Sequence, residues 1–136
     1  MTFAFKLVHM KLDILAFAAH PDDVELSCSG TLIKHVKAGR TAGIVDLTRG
    51  ELGTRGSAQI RAVEAAEAAT ILGLSVRENL EMADGFFDLS QANKLEVIKR
   101  IRKYRPEIIL ANAFDDRHPD PGRASKLVSD ACFLAE

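Results

Sequence analysis

The stretch AAHPDDVE occupies residues 18–25 and directly follows an apolar run, residues 12–17. The apolar run predicts a buried strand, so a histidine, a proline and two adjacent carboxylates come at the carboxyl end of that strand. In open α/β sheets this edge is where ligands bind. His20 and Asp23 lie three residues apart across a turn stiffened by Pro21, and their nitrogen and oxygen donors suit zinc. Asp22 is then free to act as a base.

Acidic residues at the start of a helix also have a simpler explanation, because they complement the positive end of the helix dipole. Glu25 is assigned that role. The complete octet, with a strand before it and a helix after it, resembles the signature of the LmbE-like, or PIG-L, family of zinc-dependent N-deacetylases. The resemblance covers residues 10–136 and implies a Zn²⁺ cofactor, with an N-acetylated amino-sugar conjugate as the small-molecule substrate.

Short apolar runs and amphipathic stretches alternate along the rest of the chain. Strands are predicted at residues 12–18, 43–47, 76–82 and 107–111, and helices at residues 27–38, 58–72, 91–105 and 123–134. Ser57 and Ser90 are predicted N-caps, and Gly73 a helix end. This alternation predicts one α/β domain, a Rossmann-like parallel sheet between helices.

Helix faces are predicted from the spacing of apolar residues. In residues 58–72 we expect Ile60, Val63, Ile71 and Leu72 to be buried. The next helix should bury Leu95, Ile98 and Ile101, and the last one needs a surface on which Leu127, Val128, Ala131, Phe133 and Leu134 can pack.

The predicted domain comprises residues 10–136, because Met10 begins the first strand at once and residues 1–9 are an extension. The resemblance implies a longer chain whose C-terminal part adds strands and closes the substrate pocket. We therefore expect a domain truncated at its C-terminus. Its exposed strand edges and uncovered helix face predict a homo-oligomer.

The composition is that of an ordinary globular protein, with 47% hydrophobic and 27% charged residues. A net charge of −1 gives no electrostatic footprint for nucleic acid, and no apolar stretch is long enough to span a membrane. Cys28 and Cys132 lie far apart without a CxxC pattern, which is typical of reduced thiols in a cytoplasmic protein.

The loops after strands one, two and four should meet at one edge of the sheet. The second loop carries Arg49, Glu51 and Arg55 among glycines. The resemblance assigns substrate binding to Arg55 and leaves the other two open. Asp84 is a weaker candidate for the pocket, because it is followed by Gly85 and a plain Asp-Gly turn explains it.

The loop after strand four contains DDRHPDP, residues 115–121. Family members usually end this segment His-x-Asp-His, where the first histidine stabilises the oxyanion and the last completes the metal triad. His118 and Asp120 match the first and third positions, whereas Pro121 stands where the last metal ligand is expected. We therefore assign His20, Asp23 and, as a substitute third ligand, Asp120 to the metal, with Asp22 and His118 as catalytic residues.

The function implied by the resemblance is metal-dependent removal of acetate. The run VDLTRGELGTRG, residues 45–56, is similar to the bacillithiol-biosynthesis branch, whose members act on N-acetylglucosaminyl malate. The alternative is a catalytically impaired fragment or binding domain, because Pro121 offers no side-chain ligand. A nucleotide-binding Rossmann domain and a serine hydrolase are disfavoured, since neither G-x-G-x-x-G nor G-x-S-x-G is present.

Overall fold

The computed structural model describes residues 10–136, so the predicted extension at residues 1–9 lies outside the described part. The strands are β1 (Ile14–Ala18), β2 (Ala42–Thr48), β3 (Val76–Met82) and β4 (Ile108–Leu110). The helices that alternate with them are α1 (Asp23–Lys37), α2 (Ala58–Leu72), α3 (Gln91–Tyr104) and α4 (Pro119–Leu134). The predicted α/β fold is confirmed.

The four strands form one parallel sheet in the order β3-β2-β1-β4. The chain moves outward from β1 to β2 to β3 and then returns, through α3, to the other side of β1. The direction of winding therefore reverses between β1 and β4. At such a reversal the loops leaving the two strands diverge and open a crevice at the carboxyl edge, which is where ligands bind in this class of fold.

Helices cover both faces of the sheet. One buried cluster joins Phe17 and Val45 to Val97 of α3 and Leu127 of α4. The other joins strand residues such as Ile44 to α1 and to the end of α2. Every residue of β1 and β2 is buried, as expected for parallel strands that are covered on both faces.

The predicted helix caps are confirmed. Ser57 Oγ accepts a hydrogen bond from the Ile60 amide at 3.1 Å, and Ser90 accepts one in the same way at α3. Gly73 ends α2 with a φ of +70°. Two helices begin four residues earlier than predicted, α1 at Asp23 and α4 at Pro119. A proline is compatible with a first helical turn because its missing N–H needs no partner there.

The predicted burial of α2 is wrong for three of its four residues. Ile60, Val63 and Ile71 are 52%, 59% and 81% exposed, and only Leu72 is buried. The helix instead turns its alanines toward β3, across a cavity of about 400 Å³. The side of α2 that faces β3 carries alanines because a polar side chain occupies the space between them. The buried side chain of Arg77 projects from β3 and donates a hydrogen bond to the carbonyl of Ala65, so large apolar side chains do not pack there.

The last two helices follow the prediction in part. Ile98 is buried in α3, whereas Leu95 is 43% exposed. In α4, Leu127 and its neighbours Val128 and Ala131 pack into the core shared with α3 and the sheet, whereas the chain end is exposed at Phe133 and Leu134. Within residues 10–136, no helix has both the length and the apolar character required to cross a bilayer.

Candidate active site

The first part of the site is Asp23, at the start of α1. Its Oδ2 accepts hydrogen bonds from the backbone amide of His20 and from Nδ2 of Asn112, both at 3.0 Å. Asn112 follows β4, and its Oδ1 accepts from the Ala19 amide at 2.9 Å. Asn112 therefore ties the loops after β1 and β4 together. Sequence reasoning missed it, and its position directly after the apolar run of β4 was the available signal.

His20 is the centre of the site because two buried carboxylates meet one of its ring nitrogens. Its Nε2 lies 2.9 Å from Asp120 Oδ2 and 3.0 Å from Asp84 Oδ1. Ionised carboxylates only accept hydrogen bonds, so this arrangement favours the tautomer that carries the proton on Nε2. The opposite nitrogen, Nδ1, then keeps its lone pair and lies 3.8 Å from Asp23 Oδ2.

Asp120 is completely buried at the start of α4. Its Oδ2 also accepts from the Gly85 amide at 2.8 Å, whereas Oδ1 has no hydrogen-bond partner among the described residues. Arg123 Nη2 lies 3.3 Å from Oδ1 and contributes charge. Burial raises the pKa of Asp120, but the Gly85 amide and His20 outweigh it, so the pKa is lowered and the group is ionised.

Asp22 occupies an unusual backbone position next to these groups. Its φ of +118° is rare for a residue with a side chain, and its carboxylate makes no cap bond to α1. Partial burial, followed by the charge of Asp23, raises the pKa of Asp22, while the Arg61 guanidinium opposes the rise. Asp22 lines two neighbouring cavities of about 290 Å³ each, one of which is also lined by His20 and His118.

His118 is the N-cap of α4. Its Nδ1 accepts a hydrogen bond from the Asp120 amide at 3.1 Å, and its ring stands edge-on to that of His20 with centroids 5.1 Å apart. Because Nδ1 accepts, the proton of the neutral ring lies on Nε2. His118 is exposed, so this N–H is a hydrogen-bond donor next to the cavity that contains Asp22.

Two arginines lie beside Asp22, of which the sequence indicated one. Arg55 lines the second cavity with Asp22. Arg61, on the first turn of α2, lines both cavities, and its guanidinium lies over Gly50, where a Cβ would come within 2.0 Å of Arg61 Nη1. Sequence reasoning missed Arg61, because nothing in a helical pattern shows which loop a basic side chain crosses.

Arg49 and Glu51, whose roles the sequence did not assign, lie in different parts of the structure. Arg49 lines the cavity between α2 and β3, which His20 does not line. Glu51 Oε2 accepts a hydrogen bond from the Asp84 amide at 3.0 Å and so connects the loops after β2 and β3.

The donors at the site fit a divalent cation. One ligand atom each from His20, His118 and Asp120 lie within 4.8 Å of one another, and Asp23 is outside that group. The buried Oδ1 of Asp120 adds an oxygen that accepts no hydrogen bond from the described residues, although the Arg123 guanidinium lies 3.3 Å away. Imidazole nitrogen and carboxylate oxygen together suit a first-row divalent ion.

Comparison with known proteins identifies the family. The family model for PIG-L, described as GlcNAc-PI de-N-acetylase, matches residues 15–132. The chain belongs to the PIG-L family. The matched region includes every residue of the site described above.

Among solved structures, this PIG-L chain is similar to the conserved protein TT1542 from Thermus thermophilus. The two are 44% identical with a TM-score of 0.86, over 90% of this chain and 56% of that one.

Two curated relatives have named activities. The mycothiol S-conjugate amidase of Streptomyces coelicolor is 29% identical over 82% of this chain and 47% of its own length. The diacetylchitobiose deacetylase of Thermococcus kodakarensis is 30% identical over 79% of this chain and 40% of its own. This PIG-L chain thus spans about half the length of the proteins that it resembles.

Proposed function

We propose that this domain carries the catalytic residues of a metal-dependent hydrolase that removes acetate from an N-acetylated amino-sugar conjugate. The observation that carries the proposal is the geometry at His20. Two carboxylates hold its Nε2, its Nδ1 faces Asp23, and Asp22 and His118 line the same cavity. The PIG-L family match and the deacetylase and amidase relatives support the same chemistry.

His20 and Asp23 are the proposed protein ligands of the ion, which would lie at the Nδ1 edge of the ring. Asp120, the third ligand proposed from sequence, lies at the opposite, Nε2 edge, where it orients His20 if the ion is at the Nδ1 edge. An ion at the Nε2 edge would instead be held by His20, His118 and Asp120, whose ligand atoms lie within 4.8 Å of one another. When bound, the ion supplies Lewis-acid chemistry, because it polarises the amide carbonyl and makes water a stronger acid.

The residues around the ion site account for the proton transfers. Asp22 takes a proton from the attacking water, whose oxygen forms the new bond to the acetyl carbon. The Nε2–H of His118 donates a hydrogen bond to the oxyanion. When the C–N bond breaks, the amine nitrogen takes the proton held by Asp22, and the acetic acid loses its remaining proton to solvent.

Arg55 and Arg61 are the proposed substrate-binding residues. Both lie beside Asp22, and an arginine offers a planar fork that matches a carboxylate. A substrate of the N-acetylglucosaminyl malate type, as in bacillithiol biosynthesis, has such carboxylates next to its sugar. The named relatives are a mycothiol S-conjugate amidase and a diacetylchitobiose deacetylase, and neither name contains malate.

The second candidate is a binding domain with an impaired metal site. The observation in its favour is Pro121, which is buried directly after Asp120 and has no donor atom. A catalytic zinc site normally has three protein ligands, so two ligands predict weak binding.

The test compares the parent chain with Pro121→His, Asp23→Asn and His118→Asn. Zinc affinity is measured by calorimetry, and amine release from N-acetylglucosaminyl malate and diacetylchitobiose by a fluorogenic reagent. We expect weak zinc binding in the parent, tighter binding with Pro121→His, loss with Asp23→Asn, and unchanged binding but slower hydrolysis with His118→Asn. Loss of zinc with His118→Asn places the ion at the Nε2 edge instead. Absence of hydrolysis in the Pro121→His variant, despite bound zinc, refutes the deacetylase proposal.

A cytoplasmic location and self-association are further proposals. Both cysteines are free thiols, which suits a reducing compartment. Phe114 and Phe133 are 87% and 78% exposed, and no strand of the described residues pairs with the outer edge of the short β4. Light scattering at micromolar concentration should therefore report a dimer or larger species, and a monomer under those conditions rejects self-association.

A further inference from the structure

Asp84 connects more parts of the site than a residue of a simple turn requires. It is buried just after β3, and its two oxygens have different partners. Oδ1 lies 3.0 Å from His20 Nε2, and Oδ2 accepts from the Leu52 amide at 2.8 Å. The amide of the next residue, Gly85, donates to Asp120 Oδ2. The segment therefore contacts the loops after β1 and β2 and the start of α4.

We propose that Asp84 is a positioning residue that fixes the tautomer and orientation of His20, so that Nδ1 keeps its lone pair toward Asp23. The metal-binding consequence rests on the function proposed above. The tautomer itself does not, because it follows from hydrogen bonds within the protein.

The chemical reason is that a ring nitrogen flanked by two carboxylates must donate. Histidines that bind metals almost always give their second N–H to a carboxylate, carbonyl or water, and removal of that partner typically weakens metal binding about 10- to 100-fold. Asp84 and Asp120 supply two such acceptors to one nitrogen of His20. Asp84 also holds the Gly85 amide where it can bond to Asp120, so the two acceptors depend on each other.

An Asp84→Asn substitution makes this testable without a change of shape. The Leu52 backbone amide can only donate, so it keeps its hydrogen bond by pairing with the single side-chain oxygen of the asparagine. The asparagine NH₂ must then face Nε2 of His20 and places a donor against a donor. The repulsion between these two donors disappears if the His20 proton moves from Nε2 to Nδ1. Nδ1 then has no free lone pair toward Asp23.

The experiment records ¹⁵N-detected imidazole correlations of the metal-free chain, with His20 assigned by a His20→Asn variant. We expect the Nε2–H tautomer in the parent and a shift toward the Nδ1–H form in Asp84→Asn. Zinc affinity, measured by calorimetry, should fall about 10- to 100-fold. Asp88→Asn is the matched control. This exposed carboxylate lies in the same loop, accepts hydrogen bonds from the Ser90 amide and from Nδ2 of Asn93, and does not contact His20.

An unchanged His20 tautomer in Asp84→Asn overturns the proposal. So does the same tautomer shift in Asp88→Asn, because it would reflect general loosening of the loop. If the parent binds no zinc and hydrolyses no substrate, the metal-dependent function fails, and the imidazole spectra still decide the role of Asp84.

Discussion

Arg77 offers the sharpest test of how the fold is held together below the site. Its side chain is 7% exposed and extends from β3 to three other elements. It donates to both oxygens of Asp46 in β2, at 2.9 and 3.1 Å, and to both oxygens of Glu25 in α1, at 3.0 and 3.2 Å. A fifth bond, at 3.3 Å, goes to the carbonyl of Ala65 in α2. All five guanidinium N–H groups are therefore used.

Replacement of Arg77 by methionine keeps much of the apolar stem and removes all five bonds. Asp46, which is 2% exposed, then loses its cationic partner in a buried site. Removal of one partner of a buried ion pair typically costs about 3–5 kcal/mol, because the other charge is left uncompensated. We expect Arg77→Met to lower the free energy of unfolding by this amount at pH 8.

The stability that Arg77→Met costs should increase as the pH rises. Burial raises the pKa of Asp46 from its usual 3.8 to about 6, even though Arg77 opposes the rise. The folded state thus binds the proton more tightly than the unfolded state, and stability falls as the pH rises from about 4 to about 6, by about 3 kcal/mol. Without Arg77 the pKa of Asp46 rises further. The variant should therefore continue to lose stability above pH 6, where the parent does not.

Urea unfolding between about pH 4 and pH 8 measures the cost of Arg77→Met and its dependence on pH. A second change, Asp46→Asn in the Arg77→Met background, should remove the pH dependence that Asp46 causes and recover at least about 1 kcal/mol, because position 46 then leaves no unpaired charge in the buried site. Lys126→Met is the surface control and should cost less than about 0.5 kcal/mol, since within residues 10–136 this exposed lysine pairs only with Asp130. A loss below about 1 kcal/mol, or one independent of pH, would refute the ion-pair argument.

Two further outcomes follow from the site. Gly50→Ala should lower the free energy of unfolding by about 1 kcal/mol, because its φ is +62°. It should also raise KM more than it lowers kcat, since the new Cβ displaces the Arg61 guanidinium. Steady-state kinetics check this, with Gly30→Ala as the control, where a Cβ meets nothing within 4 Å. Asn112→Ala should cost about 2 kcal/mol in urea unfolding and weaken zinc binding, because the Ala19 amide and Asp23 Oδ2 lose a shared partner. Equal zinc affinity in that variant and the parent would contradict the role assigned to Asn112.

Much of the architecture was predictable because it depends on local chemistry. Alternating apolar runs and helical spacings predict four parallel strands with helices between them, and the structure confirms this. The serine caps and the glycine end of α2 were also predictable, since each satisfies backbone groups a few residues away. The burial of α2 was not, because its packing depends on Arg77, a residue of the following strand.

The features of the functional site also differ in whether they depend on local sequence or on long-range contacts. Local sequence patterns show that His20, Asp22 and Asp23 follow a buried strand, and that Pro121 stands where a ligand is expected. Which edge of His20 each carboxylate meets depends on contacts between distant parts of the chain. Asp84 and Asp120 lie 64 and 100 residues further along the chain, and they come together because parallel strands end at one edge of the sheet. Local patterns show which groups are present, whereas hydrogen-bond direction and tautomer depend on partners that only the fold brings within hydrogen-bonding distance of one another.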